Sequence, residues 1–324
     1  MQTTKSNSLV KFELTILGCG SAVPLKHRNC TAQVLNVLER YFLIDCGEGT
    51  QHQLRKYGIP YNKINHIFIS HLHGDHFFGL IGFLSSLSMQ NRKGEMHIYA
   101  DARLERLINF QFELLRSKLS YPLVFHSLTR EPSLIFEDGV VTVESFPLKH
   151  RPEAPSCGFL FKEKSRKRTI LKQVAADAKV PVAFMQYLQM GEDYITPEGV
   201  VVPNSELTID PPASRSYAFV SDTLYSPKVA EYVQGVDMLY HEATYCHELL
   251  KMAKLNYHTT AAQAADIALK ANAKQLIVGH YSSRYPDPEP VIQEARTIFP
   301  NTHGAEDGLV FEIPLEKRKF VVNN

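Results

Sequence analysis

The sequence has few cysteines, almost no net charge and no long apolar run. Its five cysteines in 324 residues are scattered and lack Cys-x-x-Cys spacing, which favours free thiols in a reducing compartment over disulfides. The net charge of +1 gives no overall attraction to nucleic acid, so RNA contact would need a local basic patch. No apolar run approaches the length of a membrane helix, and residues Met1–Ser8 lack the apolar segment of a signal peptide. We therefore expect a cytoplasmic protein without a membrane partner.

The composition of the chain and its alternating predicted strands and helices are those of a globular α/β protein. Apolar residues make up 44% of the chain and charged residues 21%, and the length suits one large α/β domain or two small ones. Predicted strands cover 11–18, 33–38, 41–46, 64–70, 96–100, 133–137, 140–146, 158–161, 217–221, 236–240, 275–278 and 309–313. Predicted helices cover 51–57, 77–89, 101–115, 226–234, 260–271 and 290–298.

The segment Ser70–His76 (SHLHGDH) holds three histidines and an aspartate, directly after the apolar run Ile67–Ile69. That run predicts a buried strand. If the strand continues, His71 and His73 share a face, and Gly74 then permits a sharp turn. Imidazole and carboxylate ligands suit zinc and its first-row neighbours, and two adjacent divalent metals can support an in-line displacement. The segment therefore predicts a metal site.

Three more polar residues follow predicted strands, namely His150, Asp222 and His280. Functional residues of layered α/β folds collect in clefts at strand ends. Each of the three alone could simply be a polar residue that closes a strand. Together with the first segment they predict a larger constellation of metal ligands.

Taken jointly, these residues resemble the metallo-β-lactamase superfamily from the first strand through His280. The resemblance implies an α/β fold, a four-layer αββα sandwich with a two-metal site at one edge of the sheets. It implies that His71, His73 and His150 hold the first metal, that Asp75, His76 and His280 hold the second, and that Asp222 bridges them. The implied cofactors are two Zn²⁺ per subunit, with Mn²⁺ as the other candidate. Asp45, in Leu43–Gly47 (LIDCG), matches a motif whose usual role is to support the loop beneath the site.

Shorter motifs narrow the resemblance to the short-form ribonuclease Z family of tRNA 3′-processing endonucleases. They are Pro24–Asn29 (PLKHRN, similar to PxKxRN), His241–Thr244 (HEAT), His258–Thr260 (HTT, similar to HST) and His280–Tyr285 (HYSSRY). The resemblance implies an endoribonuclease that removes the 3′ trailer from precursor tRNA. The products would be a 3′-hydroxyl on the tRNA and a 5′-phosphate on the trailer, and the enzyme would be a homodimer.

The same resemblance implies roles for individual residues. Asp75 would orient the attacking water, and His258 would protonate the leaving ribose oxygen, because an imidazole titrates near neutrality. Glu242 would hold His258 in the required tautomer, or would be a structural buried acid. Residues predicted to contact the acceptor stem or its phosphates are Lys26, Arg28 and Arg284.

Residues 162–210 interrupt the alternation of strands and helices, and they begin with six cations in eleven residues. The segment falls where ribonuclease Z enzymes carry a flexible arm that grips the tRNA elbow. We therefore expect one domain over 1–324 with a tRNA-binding arm inserted at 162–210. The predicted phosphate contacts are Lys164, Arg166, Lys167 and Arg168. The arm of the family usually has a Gly-Pro-rich stretch, and this chain has Val180–Phe184 (VPVAF) instead.

Two other functions use some of the same residues. A small-molecule phosphodiesterase or an arylsulfatase-like hydrolase could share the ligands, although it would not need the basic insertion. An RNA-binding protein that has lost its metals should show gaps among the seven ligand positions, and all seven are filled here.

Overall fold

The structure is a computed structural model, and it describes residues 11–316. The chain divides into two compact units. Of the described residues, the first unit contains 11–162 together with Arg215–Pro314, and the inserted unit contains Glu163–Ser214 with Leu315 and Glu316. The polar segment Met1–Ser8, used above to predict localisation, lies outside the described residues.

The helices and strands alternate along the chain as an α/β protein requires. The strands are β1 Phe12–Gly18, β2 Ala32–Val37, β3 Arg40–Ile44, β4 Ile64–Phe68, β5 Met96–Ala100, β6 Leu123–Ser127, β7 Ser133–Glu137, β8 Val141–Leu148, β9 Ser156–Glu163, β10 Thr169–Ile170, β11 Tyr194–Ile195, β12 Val201–Val202, β13 Thr208–Ile209, β14 Ser216–Val220, β15 Met238–Glu242, β16 Gln275–Gly279, β17 Thr302–Gly304 and β18 Val310–Glu312. The α-helices are α1 Thr50–Lys56, α2 Gly74–Phe77, α3 Leu80–Met89, α4 Arg103–Leu114, α5 Lys172–Asp177, α6 Met185–Met190, α7 Asn204–Leu207, α8 Lys228–Tyr232, α9 Leu250–Asn256, α10 Ala261–Lys270 and α11 Glu289–Ile298.

The first unit is built on two seven-stranded sheets. The first sheet has the order β18-β1-β2-β3-β4-β5-β6, and the second has the order β17-β16-β15-β14-β9-β8-β7. Strands β3 to β6 run parallel, and so do β14 to β17. Each parallel set therefore collects its carboxyl ends at one edge of its sheet.

Side-chain alternation along the strands of the first sheet produces the layers. Phe42 and Phe68 face the second sheet, and the Phe68 ring centroid lies 5.5 Å from that of Phe159. Their neighbours Leu43 and Ile67 point to the opposite face and pack in the cluster that includes helices α1, α3 and α4. Helices α10 and α11 contact the strands of the second sheet. The order of layers is helix, sheet, sheet, helix, because each sheet buries both faces.

The inserted unit has a small core of its own. Five buried apolar residues form it, namely Ala175, Val180, Leu188, Tyr194 and Leu207. The buried Asn204 side chain donates to the carbonyls of Leu188 (2.9 Å) and Glu192 (2.8 Å), which ties helix α6 to the following loop. Two short antiparallel strand pairs, β10 with β13 and β11 with β12, complete this unit.

Most predicted elements of the first unit are present within a few residues. The capping box predicted at Thr260 forms, with the Thr260 and Gln263 side chains each bonded to the other's backbone. Strands β6 and β17 and helix α9 were not predicted. The five cysteines are free, as their spacing predicted, and all five are buried. Within residues 11–316, no helix combines the length and apolar character needed to cross a membrane.

Candidate metal centre

The predicted metal motif leaves strand β4 in an extended conformation and then turns into helix α2. His73 has φ −80° and ψ 144°, so the chain is still extended there and the helix begins at Gly74. His71 and His73 consequently project to the same side, as the alternation predicted. The first helical turn carries Asp75 and His76, which aim at a neighbouring point.

Three imidazoles and one carboxylate form the first cluster. His73 Nδ1 lies 3.0 Å from His71 Nε2 and 3.2 Å from His150 Nε2. Asp222 Oδ2 is 3.6 Å from His71 Nε2 and 3.9 Å from His150 Nε2. Four ligands around a tetrahedral zinc ion are separated by about 3.3 Å, given Zn–N bonds of about 2.0 Å. The four measured separations lie on either side of this value, so the four residues could hold a zinc ion.

The second cluster contains Asp75, His76 and His280. Asp75 Oδ2 lies 3.5 Å from the Nε2 atoms of both histidines. Asp222 Oδ1 lies 3.5 Å from His76 Nε2 and 3.2 Å from His280 Nε2. Asp222 thus presents one carboxylate oxygen to each cluster, which is the arrangement of a bridging ligand.

Hydrogen bonds fix the tautomers of the clustered histidines. His76 Nδ1 donates to Asp45 Oδ2 (2.7 Å), His150 Nδ1 to the Tyr257 carbonyl (3.0 Å), and His280 Nδ1 to Thr244 Oγ1 (3.0 Å). In each case the proton sits on Nδ1, so the lone pair of Nε2 faces the cluster. These partners orient the rings for metal binding.

Asp45 supports the loop beneath the second cluster. It is fully buried, and its carboxylate accepts hydrogen bonds from the Ser70 amide (2.7 Å) and the Ser70 hydroxyl (2.8 Å) in addition to His76. Burial raises the pKa of Asp45, and the His76 and Ser70 hydrogen bonds oppose that shift. Its backbone is left-handed, with φ 56°. The residue therefore turns the chain after β3 and holds the first ligand segment at the same time.

Glu242 orients two imidazoles at the other side of the cleft. Its Oε1 lies 3.1 Å from His258 Nδ1, and its Oε2 accepts from the Thr244 hydroxyl (2.7 Å), which in turn contacts His280. Glu242 is fully buried and also accepts backbone amide hydrogen bonds. Burial raises the pKa of Glu242, but the neighbouring His258 outweighs it and the net pKa is lowered. Glu242 is thus both a structural acid and the partner of His258.

The electrostatics of the centre follow from its dense packing of acids and imidazoles. Burial lowers the pKa of His150 to about 4. Burial also lowers the pKa of His258, but Glu242 and Asp222 outweigh it and raise the value to about 9. Burial raises the pKa of Asp222, yet the surrounding histidines hold it well below its usual range. The carboxylates are therefore ionised, and their charge partners within residues 11–316 are histidines.

The clusters lie in an open cleft of about 970 Å³ in the first unit. Arg284 is exposed and lines this cleft. Lys26 is also exposed. Arg28 is different, because it is 7% exposed and its guanidinium donates to the carbonyls of Tyr285 (3.2 Å) and Pro286 (3.4 Å). The tRNA contact of Arg28 stays a prediction, and in this structure its guanidinium anchors the backbone at Tyr285 and Pro286.

The cations predicted in the arm are only partly available. Arg168 pairs with Asp210 and donates to the Thr208 hydroxyl (2.7 Å), and Arg166 lies 3.5 Å from Glu163. Lys164 also has an interaction partner, whereas Lys167 is exposed. The basic run therefore contributes to the internal structure of the inserted unit as well as to its surface charge.

Several residues of the centre were not identified from the sequence. The Tyr257 carbonyl orients His150 from a left-handed backbone conformation, with φ 61°, and no side-chain pattern predicts a carbonyl contact. The Ala22 amide donates to Asp75 Oδ2 (2.7 Å), and this contact was missed because it also comes from the backbone. Thr244 lies within the HEAT motif, so its contact with His280 could have been expected from that motif.

Comparison with known proteins identifies the family of the chain. It is 47% identical to ribonuclease Z of Bacteroides fragilis (strain YCH46) over 306 residues, which cover 94% of this chain and 99% of that protein. It is 40% identical to ribonuclease Z of Porphyromonas gingivalis (strain W83), over 94% of this chain and 100% of that protein. The family model described as anti-Pycsar protein Apyc1 matches residues 12–178, which lack Asp222 and His280.

Solved structures agree with the sequence relatives. Human tRNase Z, short form (ELAC1), superposes with a TM-score of 0.69 at 29% identity, covering 93% of this chain and 99% of that chain. The metallo-β-lactamase fold protein YhfI from Bacillus subtilis superposes with a TM-score of 0.65 at 18% identity, which supports the fold. The predicted four-layer αββα fold is confirmed. The chain belongs to the ribonuclease Z family and has the metallo-β-lactamase fold.

Proposed function

We propose that the protein is a metal-dependent endoribonuclease that removes the 3′ trailer from precursor tRNA. The products are a tRNA with a 3′-hydroxyl and a trailer with a 5′-phosphate. The observation that carries the proposal is the pair of ligand clusters that share Asp222 at the base of an open cleft, in a chain of the ribonuclease Z family. The cleft also presents the exposed Arg284 to a phosphodiester backbone.

The residues of the two clusters fit two zinc ions. Among the residues of these two clusters, three buried atoms have no hydrogen-bond partner, namely His76 Nε2, His280 Nε2 and Asp222 Oδ1. A buried polar atom without a partner costs free energy, and all three atoms point to one place. His71, His73 and His150 would hold one ion, Asp75, His76 and His280 the other, and Asp222 both, with Mn²⁺ as the alternative ion. When bound, the ions would activate a water at neutral pH and stabilise the charge of an in-line displacement.

Asp75 positions the attacking group. Its Oδ2 is fixed by the Ala22 amide and lies between His76 and His280 at the base of the cleft. A carboxylate held in this way can accept a hydrogen bond from a water and direct its lone pair at the phosphorus. Positioning is its main role, because a carboxylate engaged by other groups is a weak base.

His258 donates a proton to the leaving ribose 3′ oxygen. Glu242 binds its Nδ1, so the proton available for donation is on Nε2, and His258 lines the cleft. Tyr257 precedes it and orients His150, so the donor and a metal ligand are placed by adjacent residues. The buried Glu242 keeps this geometry fixed through five hydrogen bonds.

The inserted unit contributes to tRNA binding through its exposed cations. Lys167 is exposed, and Lys162 and Lys172 flank the same basic run with exposed side chains. Phosphate contacts by lysine and arginine depend on salt, so binding that uses this unit weakens as ionic strength rises. We assign it as the arm of a single-domain protein, with Lys164, Arg166 and Arg168 at its base.

The active form is a cytoplasmic homodimer. Helix α4 exposes an apolar stripe at helical spacing, formed by Leu107 (37% exposed), Phe110 (61%) and Leu114 (70%). A row of exposed apolar side chains of this kind marks an interaction surface. Light scattering should give twice the monomer mass for the wild type and the monomer mass for Leu114→Glu. A monomeric wild type would contradict the dimer and leave the chemistry unaffected.

The proposal is tested with the purified, metal-loaded protein and a 3′-extended precursor tRNA, with both product ends mapped. We expect one cut at the acceptor-stem end that leaves a 3′-hydroxyl. His258→Gln should slow this cut, and it should slow hydrolysis of bis(p-nitrophenyl) phosphate much less, because nitrophenolate leaves without a proton. Turnover of the small diester with intact tRNA would instead favour a small-substrate phosphodiesterase.

A further inference from the structure

An exposed aromatic ring lines the cleft beside the second cluster. Phe78 follows helix α2 and is 63% exposed, whereas the preceding Phe77 is 8% exposed and belongs to the core. Phe78 lines the same cleft as His73 and Asp75. Leaving a phenylalanine in water forfeits the free energy of burying it, so its exposure in a functional cleft indicates contact with a ligand.

The ring of Phe78 is held in place by its surroundings. A Cβ atom at Gly74 would lie 2.2 Å from the ring, so the glycine allows the ring to rest against the backbone. The ring centroid lies 4.9 Å from that of Phe77 at an interplanar angle of 68°, and the Phe78 amide donates to the Gly74 carbonyl (2.9 Å). A ring fixed in this way loses little conformational entropy when a flat ligand stacks on it.

A carboxylate lines the same cleft without a partner. Glu48 follows strand β3 and is exposed, and among the described residues its carboxylate has no hydrogen bond or ion pair. A negative charge in a cleft that takes a phosphodiester repels the phosphate. Its presence there is explained if it accepts a hydrogen bond from the substrate.

The backbone joins the segments that carry Glu48 and Phe78. The Cys46 amide donates to the His76 carbonyl (2.7 Å), and the Gly79 amide donates to the Cys46 carbonyl (2.9 Å). A Cβ atom at Gly47 would lie 2.3 Å from the Asp75 carbonyl oxygen, so only glycine permits this approach. The two side chains therefore stand on one rigid base that also carries the ligands of the second cluster.

We propose that Phe78 and Glu48 form a nucleobase site beside the scissile phosphate. Phe78 stacks on one unpaired base, and Glu48 accepts a hydrogen bond from the amino group of that base. Unpaired bases in RNA are commonly recognised by aromatic stacking together with hydrogen bonds to their Watson–Crick edge. A carboxylate only accepts hydrogen bonds, so the site favours the amino groups of adenine, cytosine or guanine over uracil, whose N3–H donor lies between two carbonyl oxygens that repel a carboxylate. This inference rests on the proposed function.

The experiment combines protein variants with substrate variants. Phe78→Leu removes the ring and keeps an apolar side chain, Phe78→Tyr keeps the ring, and Glu48→Gln keeps the size of the carboxylate. Each protein is assayed on a precursor tRNA, on four derivatives with one abasic nucleotide at the two positions on either side of the cut, and on precursors that carry each of the four bases at these positions. Metal content and unfolding curves must match those of the wild type.

We expect Phe78→Leu to lower kcat/KM on the intact precursor about five- to 150-fold, the range of a lost stacking contact. Phe78→Tyr should stay near the wild type. At one abasic position, the wild type and Phe78→Leu should become equal, because the stacking partner is gone. At that same position, Glu48→Gln should reduce the preference for amino-bearing bases over uracil.

Two results would overturn the inference while the proposed function stands. In one, the wild type cuts the precursor and Phe78→Leu cuts it equally well. In the other, Phe78→Leu is slowed by the same factor on all four abasic substrates, which indicates a structural role. If Phe78→Leu fails to fold, the test is whether Glu48→Gln shows a weaker preference than the wild type for amino-bearing bases over uracil. An unchanged preference rejects the nucleobase site. A wild type that does not cut precursor tRNA rejects the proposed function and this inference together.

Discussion

Replacing Asp45 by asparagine should weaken the second metal site without altering any metal ligand. Asp45 Oδ1 accepts from the Ser70 amide, and Oδ2 accepts from the Ser70 hydroxyl and His76 Nδ1. Asparagine has one acceptor oxygen and one amide group that only donates. It also tolerates the left-handed backbone at this position, φ 56°, so the turn itself is preserved.

Either orientation of the new side chain disturbs the site. If the amide faces Ser70, two donors oppose each other beneath the loop. If the amide faces His76, two donors meet there unless the His76 proton moves from Nδ1 to Nε2. His76 Nε2 lies 3.5 Å from carboxylate oxygens of both Asp75 and Asp222. Hydrogen bonds to charged groups contribute about 1.5–3 kcal/mol each, so we expect the free energy of unfolding to fall by about 2–4 kcal/mol. Outer partners of metal ligands typically change metal affinity about 10- to 100-fold.

The assay is a zinc titration of Asp45→Asn in competition with a chromogenic chelator, together with chemical unfolding. The matched control is Asp307→Asn. Asp307 accepts hydrogen bonds from the backbone and side-chain amides of Asn29 (both 2.8 Å) and contacts no residue of the two clusters. The control should lose stability and keep both zinc affinities. Wild-type affinity at both sites of Asp45→Asn would refute the reasoning.

Three further predictions concern the first cluster, the inserted unit and the histidine His66. His73→Ala should abolish cleavage, because it removes Nδ1, the atom that lies close to both His71 Nε2 and His150 Nε2. Full activity of this variant with verified zinc content would refute the assignment of His73 as a metal ligand. Deleting residues 162–200 should weaken precursor-tRNA cleavage and spare a small phosphodiester, whereas equal loss on both would indicate a folding role. Burial lowers the pKa of His66 from 6.5 to about 4, so the unfolded state binds more protons between these values and stability falls as pH drops from 6.5 to 4. Urea unfolding across that range should show a loss of no more than about 3 kcal/mol that His66→Leu reduces, and an unchanged slope in His66→Leu would contradict the assignment.

The sequence predicted the residues that meet in the two clusters, because these residues follow strong strand signals. The apolar runs that lead to His71 and His280 predict buried strands, and parallel strands place their carboxyl ends together. Asp222 was found in the same way, after the apolar end of β14. The sequence alone could not show that Asp222 Oδ2 faces the first cluster and Oδ1 faces the second. That arrangement depends on how the two sheets face each other.

The elements that were missed have weak local signals. Strand β6 is half-buried along its length and lies at the edge of its sheet, so its side chains do not alternate between buried and exposed. Strand β17 has three residues and exists through pairing with β16. These elements are defined by tertiary contacts, which local patterns do not contain.

The availability of basic side chains at the surface was the property that the sequence predicted least well. Arg28 and Arg168 look alike in the sequence as candidate phosphate contacts. In the structure Arg28 binds backbone carbonyls and Arg168 pairs with Asp210, a partner 42 positions further along the chain. A basic run therefore predicts surface charge only after its partners are known.

The central claim is tested most directly by the ratio of kcat/KM for a 3′-extended precursor tRNA to kcat/KM for bis(p-nitrophenyl) phosphate, measured on the same metal-loaded preparation. We predict a ratio well above one, with a single cut at the end of the acceptor stem and a 3′-hydroxyl on the tRNA. Turnover of the diester with no cut in the precursor would contradict the assignment as a tRNA 3′-processing endonuclease.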